Sequence, residues 1–526
     1  MKHNIFSLLE EKHKTEQYRK KIALIDGEKK LSYGEIHDSS LKFAKFLFKK
    51  ISGCKGARIG ILLKKSWQET VSIFACAAAG NVFIPINNQL KKNQIEYIIK
   101  DCQIKVLVSS RALLDTKKLE FTDLPLIHVV FIDSIIEEFP LQASSLENIL
   151  QEPEIKISLP VCIGSDLAAI LYTSGSTGFP KGVILNHRNF LDGAEIVATY
   201  LKTDSQERNL SVLPFSFDYG LNQLFNTFLR GATLILVNVI FIKDLKKAVE
   251  KFRISVLALV PHLWAQLIDY LSKKNGKLET LKCCTNSGGH LNEKFCRLTR
   301  EVFPNASFFL MYGLTESFRS TYLPPEFFDE KIDSIGKAVP GVEIMVINEK
   351  KEVCQPGEIG ELIHRGALIS QGYWGDKEKT DFVFRTFPFS ESEIMLKEIV
   401  VCSGDLVKRD KDGFIYFVGR KDNIIKSMGF RISLLEIERK TREFQLIQDC
   451  VAIANPDPFK GNRLFLVASI VEKQENIEDK IISFLKAELP YYSIPEQIKI
   501  VSNFPLTHHG KIDRKKTFQM YFDEQS

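Results

Sequence analysis

The chain has 526 residues, 44% of them hydrophobic, which is too much for one small core and predicts several folded units at ~150 residues each. Its 71 basic and 65 acidic residues leave a net charge of only +6, and no basic stripe points to nucleic acid. No apolar run approaches the ~18 residues of a membrane span; residues 1–20 read as neither signal peptide nor anchor; and ten scattered cysteines without a Cys-x-x-Cys pair read as reduced core residues, which favours the cytoplasm.

From Ile22 short strands alternate with helices. A hairpin over 22–26 and 31–33 precedes a helix over 34–48, a strand over 58–63, a helix over 67–79, a strand over 82–86, a helix over 92–100 and a strand over 106–109. This is the rhythm of a mostly parallel sheet covered by helices, and such sheets bind ligands at the carboxyl ends of their strands. Residues 142–165, with Pro153 and Pro160, read as a loop-rich connection. The alternation resumes with helices over 189–200, 221–229 and 245–251, and strands over 211–213, 232–237 and 256–260. Later strands over 341–347, 360–364, 400–407 and 414–417 are short and separated by turns, which predicts an antiparallel or barrel-like section. Beyond the polar, glycine-bounded stretch 419–429, the segments 435–444, 450–455, 464–471, 478–488 and 497–501 form a compact α+β unit. The fold expected is therefore α/β: a large domain of parallel sheets with a barrel-like β section over 1–419, and a small α+β domain over 420–526.

One loop carries the chemistry. After the apolar run 167–171, residues 172–183 read Tyr-Thr-Ser-Gly-Ser-Thr-Gly-Phe-Pro-Lys-Gly-Val. Hydroxyls and glycines alternate through Thr173, Ser174, Gly175, Ser176, Thr177 and Gly178, so backbone N–H groups and hydroxyls can reach a phosphate, and Lys181 adds a charge. The loop is not a Walker A motif, because the lysine precedes the last glycine, and no Gly-x-Gly-x-x-Gly dinucleotide fingerprint occurs here.

Further segments occur in one order: Ser287-Gly288-Gly289-His290, Met311-Tyr312-Gly313-Leu314-Thr315-Glu316-Ser317, Ser403-Gly404-Asp405, Gly419-Arg420-Lys421-Asp422, and Pro505 to Arg514 around Lys511. With the loop, they make the chain resemble the AMP-forming adenylating superfamily of acyl-CoA synthetases, peptide-synthetase adenylation domains and firefly luciferase, over about residues 31–514. By overall pattern it is also similar to the acyl-CoA ligases of bacterial exopolysaccharide-linked protein export systems.

The resemblance implies a mobile C-terminal domain and two steps, attack of a carboxylate on the α-phosphate of ATP and then transfer of the acyl group to a thiol, either CoA or the phosphopantetheine of an acyl carrier protein. It assigns the β and γ phosphates to the loop with Lys181. Adenine falls to Gly288, Gly289, His290 and Tyr312, the α-phosphate to Thr315, and Mg²⁺ to Glu316. Asp405 takes the ribose hydroxyls, and Arg420 the ribose or phosphates. Asp422 acts as the hinge and Lys511 as the catalytic cation. Gly429 would pass close to the thiol arm, while Glu436 and Glu438 read as a solvated helix face. Ser403 departs mildly from the usual threonine. Any carrier is expected to be a separate partner.

The acid is read by residues 213–225, where Phe217, Asp218 and Tyr219, together with Trp264 and Leu314, are expected to shape the pocket. Two readings stay open. One is an acyl ligase for a medium or unusual carboxylic acid. The other is an amino-acid adenylating enzyme in which Asp218 binds the substrate's ammonium, since a lone buried carboxylate is costly. A nucleotide-binding protein without catalysis is a third.

Overall fold

The computed structural model describes residues 4–133, 139–153, 155–173, 180–389, 397–421, 424–427, 430–457, 461–472, 474–489, 493–506 and 512–522. Two compact units are present: Met1–Ile344 with His364–Cys402, and Met345–Ile363 with Ser403–Ser526. The boundary expected at residues 419–422 lies inside the second unit.

The first unit holds two large sheets. One runs, in spatial order, Ala143–Ser145, His128–Phe131, Val106–Ser109, Arg58–Leu62, Val82–Pro85, Leu167–Thr173 and Lys181–Asn186. All its pairings are parallel except the last. The other runs Lys337–Ala338, Thr321–Leu323, Ser307–Tyr312, Cys283–Asn286, Val256–Leu259, Arg208–Ser211, Thr233–Leu236, Ile22–Asp26 and Lys29–Ser32, parallel from Ser307–Tyr312 to Ile22–Asp26.

The strands Val82–Pro85, Val106–Ser109, Thr233–Leu236 and Val256–Leu259 are buried along their whole length because both faces of the sheets are covered. One core joins the two sheets through the helices Tyr33–Lys50, Trp67–Ala78, His187–Leu201 and Asp218–Arg230. Phe74 packs at a tilt on Phe228, centroids 5.0 Å apart, and Phe190 meets Phe225 edge-on at 5.1 Å. The helix Lys92–Asp101 covers the outer face of the first sheet with Ile95, Ile98 and Ile99. Ser32 begins the first long helix with a capping box, its side chain accepting from the Glu35 N–H while the Glu35 carboxylate accepts from the Ser32 N–H.

In the second sheet the strand after Arg208–Ser211 pairs on one side of it and the next on the other, so the order reverses at Ser211. A crevice opens at the carboxyl ends of strands where order reverses.

The expected elements are present with two differences. The strand expected over 211–213 ends at Ser211, because the carbonyl of Leu213 is taken by the Lys65 ammonium in place of a strand partner. The connection over 142–165 contains the strand Ala143–Ser145 and the helix Leu146–Gln151, held down by buried Leu146 and Ile149.

In the second unit the strands Ile447–Asp457 and Gly461–Ile470 pair antiparallel, and Gln497–Ile500 adds in parallel. Ile437 and Ile481, from the helices Leu434–Glu443 and Ile477–Glu488, bury against Leu466. Residues 405–409 pair antiparallel with Ile415–Arg420.

Candidate active site

The segments singled out in the first unit all leave the carboxyl ends of strands. Thr173 ends its strand and pairs across the antiparallel hairpin with Lys181. The loop residues Ser174, Gly175, Ser176, Thr177 and Gly178 lie outside the described residues, so only the flanking Thr173 and Lys181 are described. Below it, the Tyr172 hydroxyl donates to Asp101 and lies 3.1 Å from the Cys102 sulfur, pinning the strand.

Lys181 stands over the Tyr373 ring, its Nζ 5.9 Å from the centroid. Burial and the neighbouring Lys379 ammonium pull it down to about 8, against the attraction of Glu316 and Asp376. Lys379 is itself 3.5 Å from Asp376. The Tyr373 hydroxyl donates to Glu316 Oε1 at 2.5 Å, and the Ser370 N–H donates to the Glu316 carbonyl at 2.9 Å. Glu316 is thus oriented from both ends, with Oε2 left as a hard oxygen donor. Mg²⁺ takes one or two carboxylates and fills its remaining positions with phosphates and water, so this carboxylate beside an ammonium fits the ion.

The loop after Ser307–Tyr312 turns tightly. A Cβ on Gly313 would lie 3.1 Å from the Phe318 carbonyl, and Ser320 N–H returns to the Tyr312 carbonyl at 3.1 Å. Phe318 adopts φ +53°, a left-handed conformation that costs a bulky residue of order 1–3 kcal/mol. It is held there by burial against Phe190, 5.5 Å away. Tyr312, Leu314, Thr315 and Glu316 are half-buried along this loop. Leu314 packs on the cluster of Val183, Tyr373 and Phe384.

At the next strand end, Gly288 has φ +84°, and a Cβ there would sit 3.4 Å from the Phe217 ring. Gly288, Gly289 and His290 are exposed, and Asn286 donates to the Gly289 carbonyl at 3.1 Å.

The segment 213–225, expected to read the acid, follows Ser211. A Cβ on Gly220 would lie 2.3 Å from the Pro214 carbonyl, so only glycine lets residues 213–217 fold back on the helix Asp218–Arg230. Asp218 is the first residue of that helix, where a carboxylate is favoured, and it accepts from the Tyr219 N–H at 2.7 Å. Tyr219 is buried, its hydroxyl 2.7 Å from the Thr285 carbonyl, and the Trp264 N–H reaches the same carbonyl at 3.0 Å. Trp264 is fully buried between Phe303 and Phe308.

Two side chains that sequence reasoning passed over complete the segment. Arg319 is buried and lies 3.3 Å from Asp218, while its Nη1 also donates to the Phe318 carbonyl at 2.6 Å. Burial still pushes the Asp218 carboxyl up, with Arg319 pulling the other way. Lys65, also buried, donates to Ser211 Oγ at 2.8 Å and to the Leu213 carbonyl, with its Nζ 4.0 Å from the Phe215 centroid. Desolvation brings Lys65 down to about 7. Arg319 follows the loop motif by only two residues, which was the one local signal for it.

In the second unit Gly404 has φ +70°, and the Asp405 N–H is held at 3.0 Å by Ser403 Oγ. Asp405 is buried, with Arg420 Nη1 3.4 Å from its Oδ1. Asp422, Gly429 and Lys511 lie outside the described residues. Glu438 corrects an expectation: it is buried, accepting from the Ala452 N–H at 2.9 Å and from Arg514, so it is no solvated helix face.

A family model described as AMP-binding enzyme matches residues 11–374, and its C-terminal domain counterpart matches 436–511. The chain belongs to the AMP-binding enzyme family. Among curated relatives of this AMP-binding enzyme, tyrocidine synthase 2 of Brevibacillus parabrevis is 27% identical over 94% of the chain, and the chain spans 13% of that protein's length. The long-chain-fatty-acid–CoA ligase of Bacillus subtilis (strain 168) is 25% identical over 93% of the chain and 90% of the ligase. The chain spans 7% of tyrocidine synthase 3 of Brevibacillus parabrevis and 9% of bacitracin synthase 1 of Bacillus licheniformis. Solved structures share the fold at 22% identity. They include the o-succinylbenzoate CoA synthetase of Bacillus subtilis with its acyl-adenylate (TM-score 0.82, 98% of each chain) and an anthranilate CoA ligase with anthranoyl-AMP (TM-score 0.85, 98% and 96%). The matched span of the AMP-binding enzyme domain contains the Lys181, Asp218 and Arg319 neighbourhoods, whereas Asp405 and Arg420 fall between the two matches.

Proposed function

We propose that the chain is an ATP-dependent ligase that activates a carboxylic acid without an α-ammonium group as its acyl-adenylate, releases pyrophosphate, and passes the acyl group to the thiol of CoA or of a carrier protein's phosphopantetheine. The observation that carries the choice of acid is the Asp218–Arg319 pair. A carboxylate already matched by a buried guanidinium at 3.3 Å has little to offer a substrate ammonium, and displacing Arg319 would leave its charge buried without a counter-ion.

Support for the adenylation chemistry comes from the grouping of Lys181, Glu316 and Tyr373. Lys181 would hold the departing pyrophosphate against Thr173 and residues 174–178. Bound Mg²⁺ would neutralise phosphate charge, with Glu316 as its protein ligand. Thr315 would donate to the α-phosphate and Lys511 would meet the charge that builds there, which is where fixed cations lower a barrier most. Tyr312, Gly288, Gly289 and His290 would frame adenine, and Asp405 and Arg420 would take the ribose. Phe217, Tyr219, Trp264 and Leu314 would give the acid pocket its apolar walls. Rotation about residues 419–422, with the segment beyond 420 as the mobile part, would bring the thiol step into play.

The test is acid-dependent AMP formation with fatty, aryl, dicarboxylic and amino acids, with and without CoA. The proposal expects non-amino acids to turn over. Exchange of pyrophosphate with amino acids alone would sink it. Absence of AMP with every acid would leave a binding protein.

A further inference from the structure

We infer that the face formed by the helices Ile242–Lys251 and Pro261–Ser272 docks this enzyme on an anionic lipid surface. The loop entering the first helix presents Ile240, 81% exposed, beside Phe241, 60% exposed. Two large apolar side chains side by side at a loop tip contribute nothing to the core and expose a contiguous patch to water. They rim an open hollow of about 420 Å³ shared with Gln266, Asp269, Tyr270, Lys273 and Lys274, in which Lys273 pairs with Asp269 at 2.8 Å. Lys243 lies 5.3 Å from the Phe241 centroid and Lys274 4.8 Å from that of Tyr270, so an ammonium group stands beside each of these two rings.

The charge of the region is out of proportion to its length. Residues 239–282 carry nine lysines and arginines against four acidic residues, a net +5 in a chain whose total is +6; Lys246, Lys251 and Lys273 pair with Glu250, Glu28 and Asp269. Lysines ringing exposed aliphatic and aromatic side chains match a headgroup layer, where the apolar tip inserts and the ammonium groups meet anionic lipid. A second copy of this face is a poor occupant, because two such surfaces repel. The centre of a protein interface is likewise depleted in lysine. Among the described residues no helix is long and apolar enough to cross a membrane, so the attachment is peripheral.

The same helix joins this face to the acid segment. Trp264 and Leu267 point into the core on Pro261–Ser272, and Trp264 shares the Thr285 carbonyl with Tyr219, while Tyr270 lies at the patch. An amphiphilic carboxylic acid partitioned in the bilayer would thus be drawn from the surface on which the enzyme sits. Docking itself does not depend on which acid is activated.

The experiment is co-sedimentation of the full chain with phosphatidylcholine vesicles, with and without phosphatidylglycerol. The wild type is expected to pellet with the anionic vesicles and to be released near ~1 M salt, where the Debye length is ~3 Å. Ile240→Ser with Phe241→Ser, and separately Lys243→Glu with Lys273→Glu and Lys274→Glu, should each cut the bound fraction by about tenfold or more. AMP formation from a water-soluble acid should be unaltered in the serine variant, which separates loss of docking from loss of catalysis. Wild type left in the supernatant, or variants that pellet as the wild type does, would overturn the inference. So would a concentration-dependent dimer that the serine variant dissolves in the absence of vesicle binding.

Discussion

Arg319 and Asp218 offer the sharpest perturbation, because the buried pair bears on stability and the proposed class of acid rests on it. At 3.3 Å two unit charges attract by about 5 kcal/mol at an effective dielectric of ~20, and both groups have left water. Removing one partner should therefore cost about 3–5 kcal/mol, while replacing both by neutral groups of similar size should cost much less. The variants are Arg319→Met, Asp218→Asn and the two together. Urea unfolding followed by tryptophan fluorescence isolates the relevant transition, since Trp67, Trp264 and Trp374 all lie in the first unit. A coupling energy of at least ~2 kcal/mol is expected from the double-mutant cycle. Additive single effects, within ~0.5 kcal/mol, would refute the pairing. The functional arm runs in parallel: Arg319→Met frees a buried carboxylate beside the acid pocket, so pyrophosphate exchange with amino acids should rise above the wild-type level.

Other outcomes follow from the phosphate side. Lys181 is cationic only below about 8, so KM for ATP should climb as pH rises through that value. Lys379→Ala, by removing the repelling ammonium, should move that limb to higher pH. Tyr373→Phe deletes the 2.5 Å hydrogen bond that orients Glu316 and should lower kcat by about 10–100-fold, the worth of a hydrogen bond to a charged group, with the demand for Mg²⁺ raised. Lys511→Ala should slow adenylation by about 10²–10³-fold, as loss of one transition-state donor does, yet spare thiol transfer from a supplied acyl-adenylate. His187 and His364 are buried and held down at about 4. Their folded pKa values lie below the unfolded ones, so their stabilising effect is complete above about 6.5 and is lost as pH falls through 4; each represents roughly 3 kcal/mol. Unfolding midpoints measured from pH 7 to 4 should fall accordingly.

The strands and helices were legible because apolar runs bounded by turn residues are local signals. The segments that carry the family resemblance are equally local, and Thr173 and Tyr312 are the last residues of their strands. The strand at Ser211 was misplaced by two residues since its end is set by Lys65, 146 positions away. Asp218 was recognised as a carboxylate needing a partner, but its partner lies 101 positions on, and no periodicity links the two. Glu438 looked like one more charge on a solvated helix, and became buried only when the strand at Ala452 and Arg514 packed over it.

The sequence by itself therefore determined the family and the succession of strands and helices along the chain, both of which are written in contiguous residues. The partner of Asp218, on which the proposed choice of acid rests, was decided only by tertiary structure. A buried carboxylate takes its meaning from whatever cation reaches it, and the cation that reaches Asp218 comes from another strand end of the same sheet.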